Sequence, residues 1–143
     1  MHSDSVTVRA DIDAPVEVAW RVLTVERDSW WPEMRFTAAV GASLSETWTE
    51  DGHRMSATGT VTRCLPPHGL AFRWIEPRWS LPLDVDIRLA RRSGATSVTL
   101  VESGFVRATS SPTLPAEHED GWMYHLERWK RASERAVNDD RGR

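Results

Sequence analysis

The sequence predicts a single α+β domain in which a curved antiparallel sheet wraps around one long C-terminal helix. Three observations support this prediction. Residues 41–105 contain short runs of alternating polarity separated by Gly and Pro turns, the pattern of an antiparallel meander. Residues 116–137 show the period of an amphipathic helix. No repeat or linker divides the 143 residues, so we expect one domain over 1–143, with a frayed tail at about 138–143.

The predicted elements begin with a strand and two short helices. Ser5–Ile12 alternates between apolar and polar residues, which predicts a half-buried strand. The sequence Asp-Ala-Pro at 13–15 favours a helix start, because an acidic residue and a proline are typical of the first turn. Residues 27–31 are expected to form the second short helix, which Pro32 ends.

Five further strands are predicted before the last helix. Their expected ranges are 41–50, 55–64, 70–75, 81–92 and 96–105. Asp51-Gly52 is a hairpin-turn signal between the first two of them. A loop rich in Ser, Thr and Pro follows at 107–116, and the helix then runs from about Ala116 to Val137.

Composition and charge exclude several classes of function. The net charge is -3, so the chain lacks the basic surface that nucleic acids or anionic membranes attract. No apolar run approaches the ~18 residues of a membrane span. The polar N-terminus does not resemble a secretory signal, and we therefore expect a cytoplasmic protein. Cys64 is the only cysteine, which rules out an internal disulfide, and we expect neither a metal nor a cofactor.

Tryptophan is unusually frequent. The chain has eight Trp against one Tyr and three Phe. Large rigid side chains can line a pocket that must stay open, although they can equally fill a core. The excess is a first indication of a cavity.

Several strings, in the correct order, resemble the START-like SRPBCC superfamily, and in particular the branch named after the activator of the heat-shock-protein ATPase. The strings are Ile12–Pro15 with Val18 and Trp20, Trp30–Pro32, Gly59–Val61, Pro66-Pro67, Leu70–Trp74, Thr96–Phe105, and Gly121-Trp122 with Leu126 and Trp129. The resemblance implies a helix-grip (START/Bet v-like) fold with seven strands and a pocket between the sheet and the last helix. Alternation alone predicts six strands. The seventh is expected either from a split of 70–92 or from a short strand near 36–40.

The resemblance also implies which side chains would line the pocket: those on the inward face of the last helix and on the concave face of the sheet. The candidates for ligand binding are Trp48, Trp74, Glu46, Leu100, Glu102, Trp122, His125, Leu126 and Trp129, with Trp30, Trp31 and Trp79 nearer the mouth. The two carboxyl groups share faces with apolar residues, so each could be a hydrogen-bond acceptor or general base inside the pocket, or else an exposed edge-strand carboxylate.

His118 and His125 are unsuited to bind one metal ion together. Seven residues separate them, which places their backbones ~10 Å apart along a helix. His125 remains a candidate polar contact for a ligand. No residue is assigned as catalytic.

Three functions follow from these residues and from the resemblance. The first is binding of a small hydrophobic or aromatic ligand, such as a lipid, a polyketide or a similar metabolite. The second is an enzyme similar to polyketide cyclases and dehydratases, which would use polar residues of the same cavity. An almost wholly apolar wall would favour the first, and an inward polar pair the second.

The third is a co-chaperone-like interaction protein, ranked last because the eukaryotic activator carries an additional N-terminal domain for which we expect no room here. The sequence leaves open whether the chain forms a homodimer.

Overall fold

A computed structural model of the protein describes residues 3–142. Within that range the chain forms seven strands, three helices and one 3-10 turn. The strands are β1 (Ser5–Ile12), β2 (Met34–Phe36), β3 (Ser43–Glu50), β4 (His53–Leu65), β5 (Gly69–Ile75), β6 (Leu83–Arg92) and β7 (Ala95–Ser103). The helices are α1 (Val16–Leu23), α2 (Phe105–Ala108) and α3 (Leu114–Arg141), and the 3-10 turn is Arg27–Ser29.

The strands form one antiparallel sheet in the order β1-β7-β6-β5-β4-β3-β2. Alternation decides which face of each strand is buried. In β6, Leu83, Val85 and Ile87 are buried towards α3, whereas Asp84 and Asp86 between them are only half-buried. The inner face of the sheet and the inward face of α3 make one hydrophobic core. This arrangement confirms the predicted α+β helix-grip fold.

The seventh strand is β2, which pairs with β3 through Met34 and Glu46. Of the two expected alternatives, the short extra strand is correct, although it lies just before the range 36–40. Three residues are too few to show alternation, and this explains why the pattern did not define it. Arg27 attaches this segment to the domain, since its buried guanidinium donates hydrogen bonds to the carbonyl oxygens of Met34 and Phe36, at 2.5 and 3.1 Å.

Three predicted elements differ most from the structure, and the ends of the predicted strands shift by at most two residues. The second short helix is only the 3-10 turn Arg27–Ser29, because Trp30 turns inward and donates from its Nε1 to the carbonyl oxygen of Val22. The loop predicted at 107–116 contains the end of α2 and the start of α3. The tail predicted to fray is helical through Arg141, and Asp140 there pairs with Arg21 at 3.1 Å. Arg143 lies outside the described residues.

Helix α3 is amphipathic along its whole length. Its inward residues Trp122, Leu126 and Trp129 are buried, whereas charged residues such as Glu127 and Arg131 lie on the exposed face. No helix within residues 3–142 combines the length and apolarity that a membrane span requires. The cytoplasmic location stays a prediction.

Candidate functional site

A cleft of about 490 Å³ opens between the N-terminal half of α3 and the inner face of β3–β5. Its apolar lining comes from Trp48, Ala57, Trp74, Trp79 and Leu114, and its polar lining from Glu46, Glu50, Glu76, Arg78, Thr109, Ser111, Glu117 and His118. The volume lies in the range typical of small-molecule sites. The wall is mixed, because indole rings and titratable side chains both line it, so it is not the almost wholly apolar wall expected of a purely hydrophobic binding site.

Glu102 is the most deeply buried carboxyl group at this end of the molecule. It lies on the inner face of β7 with 0% exposure, and its two oxygens have three hydrogen-bond partners. Trp74 Nε1 donates to Oε2 at 2.8 Å, and Trp122 Nε1 donates to Oε1, also at 2.8 Å. His118 Nδ1 lies 2.7 Å from Oε1. These three partners offset the cost of burying a polar group among apolar residues.

Glu46 has a poorer environment. Its Oε2 accepts one hydrogen bond, from Trp31 Nε1 at 2.9 Å. Burial raises the pKa of Glu46 to about 7, against the opposing effect of the Trp31 hydrogen bond. The carboxyl group lines the cleft and is therefore divided between its neutral and charged forms near neutral pH.

His125 lies beside Glu46 without forming an ion pair. Its Nε2 is 3.9 Å from Glu46 Oε2, too far for a hydrogen bond, and its ring stacks on Trp31 with 4.3 Å between ring centroids. Burial, helped by the charge of Arg128, lowers the pKa of His125 to about 4. The ring is therefore neutral at neutral pH, and its Nδ1 is buried with no hydrogen-bond partner in residues 3–142.

A third carboxyl group, Glu76, also lines the cleft. It is 4% exposed and accepts hydrogen bonds from Arg78 Nε at 2.6 Å and Nη2 at 2.7 Å. Arg78 also donates from Nη1 to Glu50 at 2.7 Å, and these bonds raise the pKa of the Arg78 guanidinium further above its usual range. The wall is thus a fixed cation held between two carboxylates, at the end of β5.

The structure divides the predicted site residues into three groups. Glu46, Trp48 and Trp74 line the cleft, as does Trp79, which was expected near the mouth. Glu102, Trp122 and His125 lie directly behind that lining. Leu100, Leu126 and Trp129 belong to the packed core, together with Trp30 and Trp31.

Sequence reasoning missed two features of the cleft. His118 was considered only as a metal ligand, although it lies one helical turn before Trp122 and hence on the same face of α3. The Glu76–Arg78 pair carried no usable signal, since both residues follow the predicted strand as an ordinary charged turn. No group of three or more His, Cys, Asp or Glu side chains is placed to hold a metal ion anywhere between residues 3 and 142.

A larger hollow of about 860 Å³ lies on the outside, between the 3-10 turn and β2–β4. The carboxyl group in its lining, Asp28, is exposed, no His lines it, and the guanidinium of Arg27 there is already bonded to backbone carbonyls. The cleft beside α3 is smaller but contains the buried titratable groups, so it is the better candidate for function.

The fold and the cleft define a helix-grip protein, and comparison with known proteins identifies the branch. The sequence model of the family described as "Activator of Hsp90 ATPase homolog 1-like protein" matches residues 13–134. The chain belongs to this family, as the resemblance in its sequence indicated. A search of the curated proteins found no match.

Solved structures of similar proteins share the fold. DynU16, from the dynemicin biosynthetic locus, is 24% identical with a TM-score of 0.76, covering 92% of this chain and 48% of its own. CalU16 from Micromonospora echinospora is 25% identical with a TM-score of 0.68, covering 88% of this chain and 71% of its own. The Aha1 dimer from Colwellia psychrerythraea is 18% identical with a TM-score of 0.72, covering 91% and 96%. This chain spans about half the length of DynU16.

Proposed function

We propose that the protein binds a small hydrophobic or aromatic molecule in the cleft between α3 and β3–β5. The observation that carries the proposal is the cleft of about 490 Å³ with three indole rings, Trp48, Trp74 and Trp79, in its wall. Indole faces supply large, rigid contact area for a flat apolar ligand. Polyketide-like metabolites and lipids are therefore the classes of ligand to test.

The polar lining would orient such a ligand. Glu46 and His118 lie in the same wall as the indoles, so a ligand with one polar edge would place that edge towards them. Arg78 is held by Glu76 and Glu50, and its charge is therefore neutralised within the wall. The cleft is accordingly suited to a neutral ligand with a polar edge rather than to a strongly anionic one.

The test is a titration with a panel of fused-ring aromatics and fatty acids, followed by intrinsic tryptophan fluorescence and by calorimetry. Ala57→Phe is the blocking variant, because Ala57 faces the cleft from β4 and is 1% exposed. Ser56→Phe is the matched control, because Ser56 is the exposed neighbour on the other face of β4. We expect saturable binding to the wild type and to Ser56→Phe and at least tenfold weaker binding to Ala57→Phe. Equal affinity in all three proteins would place the ligand elsewhere.

Acid–base catalysis on the bound molecule is the second candidate, in the manner of a cyclase or dehydratase. Burial brings the pKa of Glu46 to about 7, which suits a group that both gives and takes a proton near neutral pH. The test is deuterium exchange, followed by NMR in D2O, at the carbon beside the carbonyl of an enolisable aryl ketone. Faster exchange with the wild type than with Glu46→Gln would support catalysis. Identical rates would indicate that the protein binds the molecule without catalysing proton exchange.

We also propose that the chain forms a homodimer, because the Aha1 protein from Colwellia psychrerythraea, which shares the fold, is a dimer. Light scattering coupled to size-exclusion chromatography measures the mass directly. A mass close to 16.2 kDa at high protein concentration would contradict the dimer.

A further inference from the structure

We propose that His118, positioned by Glu102, accepts a hydrogen bond from the ligand in the cleft, and that the ligand presents a phenol-type hydroxyl to its Nε2. This inference rests on the proposed function, since it names the polar edge that the bound molecule must carry.

The hydrogen bonds around Glu102 determine where the ring proton of His118 lies. The indole N–H groups of Trp74 and Trp122 can only donate, so both oxygens of Glu102 act as acceptors. His118 Nδ1 is 2.7 Å from the same Oε1 that accepts from Trp122. When Glu102 is a carboxylate it has no proton to give, so the Nδ1–H donates, and in the neutral ring Nε2 carries the lone pair.

Neighbouring rings hold the imidazole in this orientation. The centroid of Phe105 lies 5.4 Å away with its ring at 89°, and that of Trp79 lies 5.4 Å away on another side. Nε2 has no hydrogen-bond partner among residues 3–142, and the ring forms part of the cleft wall. A hydrogen bond to Nε2 can therefore come only from what occupies the cleft, from water or from a ligand donor.

Glu46 restricts the ligand further. Its carboxyl group lines the same cleft and has one bond to the protein, from Trp31 to Oε2. When protonated it can donate to a carbonyl oxygen, whereas His118 can only accept while its ring is neutral. A hydroxylated aromatic carbonyl compound satisfies both groups and stacks its ring on the indoles.

The first experiment compares 2-naphthol with 2-methoxynaphthalene, which has the same ring system without the hydroxyl donor. We expect the wild type to bind 2-naphthol about tenfold more tightly, the value of one net hydrogen bond. In His118→Leu the ratio of the two affinities should fall to about one, while 2-methoxynaphthalene still binds. This retained binding shows that the variant keeps its cleft.

The second experiment determines the tautomer of His118 from its imidazole ¹⁵N chemical shifts. If Glu102 had a purely structural role, substituting it would leave these shifts unchanged. We expect the proton on Nδ1 in the wild type and in Glu119→Gln, an exposed substitution on the same helix. In Glu102→Gln the amide N–H₂ competes as a donor, and the proton should move towards Nε2.

The outcomes separate the two proposals. Failure of both naphthalene compounds to bind the wild type would overturn the proposed ligand and this inference with it. Equal binding of the two compounds, or a wild-type ring with its proton on Nε2, would overturn this inference alone and leave the cleft as an apolar binding site.

Discussion

The two halves of α3 use the same residue types in opposite ways. In the C-terminal half, Trp129 is 1% exposed, stacks on Trp30 with an 11° angle between the rings, and donates from Nε1 to the backbone oxygen of Ala19 at 2.9 Å. In the N-terminal half, Trp122 donates instead to the carboxyl group of Glu102. One indole thus joins two elements of the core, and the other holds a buried carboxyl group beside a cleft.

Helix α1 explains the difference. It packs against the C-terminal half of α3, where Ala19 supplies the acceptor for Trp129 and Arg21 pairs with Asp140. At the other end the chain supplies the four-residue α2 and the crossover to α3. A backbone carbonyl accepts the hydrogen bond of an indole without placing a charge in the interior, so the half of α3 that α1 covers needs no ionisable side chain there. The half of α3 that α1 does not cover relies on side-chain acceptors, and these groups can also contact a ligand.

Trp129→Ala should have the largest effect on stability, because it removes a buried indole from the packed C-terminal half of α3. We expect a loss of about 3–5 kcal/mol in the free energy of unfolding, from lost burial and the cavity left behind. Urea denaturation measures it, with Met123→Ala as control, since Met123 is 56% exposed on the same helix. A loss below about 1 kcal/mol would show that the C-terminal half of α3 is no more tightly packed than the half beside the cleft.

The pH dependence of the free energy of unfolding should report the two buried titratable groups beside the cleft, Glu46 and His125. The pKa of Glu46 is raised by burial to about 7, so the folded state holds its proton where the unfolded chain has lost it, and stability falls as pH rises from about 4.5 to about 7. The pKa of His125 is lowered by burial to about 4, so its effect has the opposite sign, and stability falls as pH drops from about 6.5 to about 4. Each effect is on the order of 3 kcal/mol.

Single variants separate these opposed effects. In the wild type they largely cancel between about pH 4.5 and 6.5. Glu46→Gln should leave only the His125 effect, so that stability rises with pH, and His125→Gln should leave only the Glu46 effect, so that it falls. Chemical denaturation at a series of pH values measures both slopes. Parallel curves for the two variants would mean that neither group is desolvated in the folded state.

Glu102→Gln should give an intermediate effect. The amide can accept through only one atom, so at least one of the two indole N–H groups loses its partner, which costs about 1–3 kcal/mol. Glu119→Gln changes the same chemical group at an exposed position and should be within about 0.5 kcal/mol of the wild type. If both variants were equally stable, the hydrogen bonds of Glu102 would contribute nothing net.

Periodicity predicted the architecture well because the sheet has one buried face. A strand such as β6 must alternate to bury Leu83, Val85 and Ile87 together, so the pattern is visible in the sequence. The three-residue β2 has no room for a pattern, and its position depends on Arg27, which bonds to backbone atoms that any residue would provide. Helix α3 exceeded its predicted end because Asp140 has a distant partner, Arg21.

The candidate site was less predictable for a related reason. Alternation put Glu46 and Glu102 in phase with apolar neighbours but left open whether they face the pocket or solvent, and the structure places both on the inner faces of their strands. Alternation could not show that Glu102 has three hydrogen-bond partners and Glu46 has one. Those partners lie on β5, on α3 and on the segment after the 3-10 turn, far away in sequence. Chemistry at the site depends on contacts across the sequence, which no local pattern records.

The last comparison concerns two leucines of α3, one packed in the core and one in the wall of the cleft, and it includes the smallest expected change in stability. Leu126 is 4% exposed in the core, so Leu126→Ala should cost about 2–5 kcal/mol. Leu114 lines the cleft and is only partly buried, so Leu114→Ala should cost about 1 kcal/mol or less. The second variant should nevertheless weaken ligand binding, whereas the first should not do so while the protein remains folded. Thermal unfolding and the naphthalene titration together measure the pair, and a larger stability loss at Leu114 would mean that the cleft is closed and packed in solution.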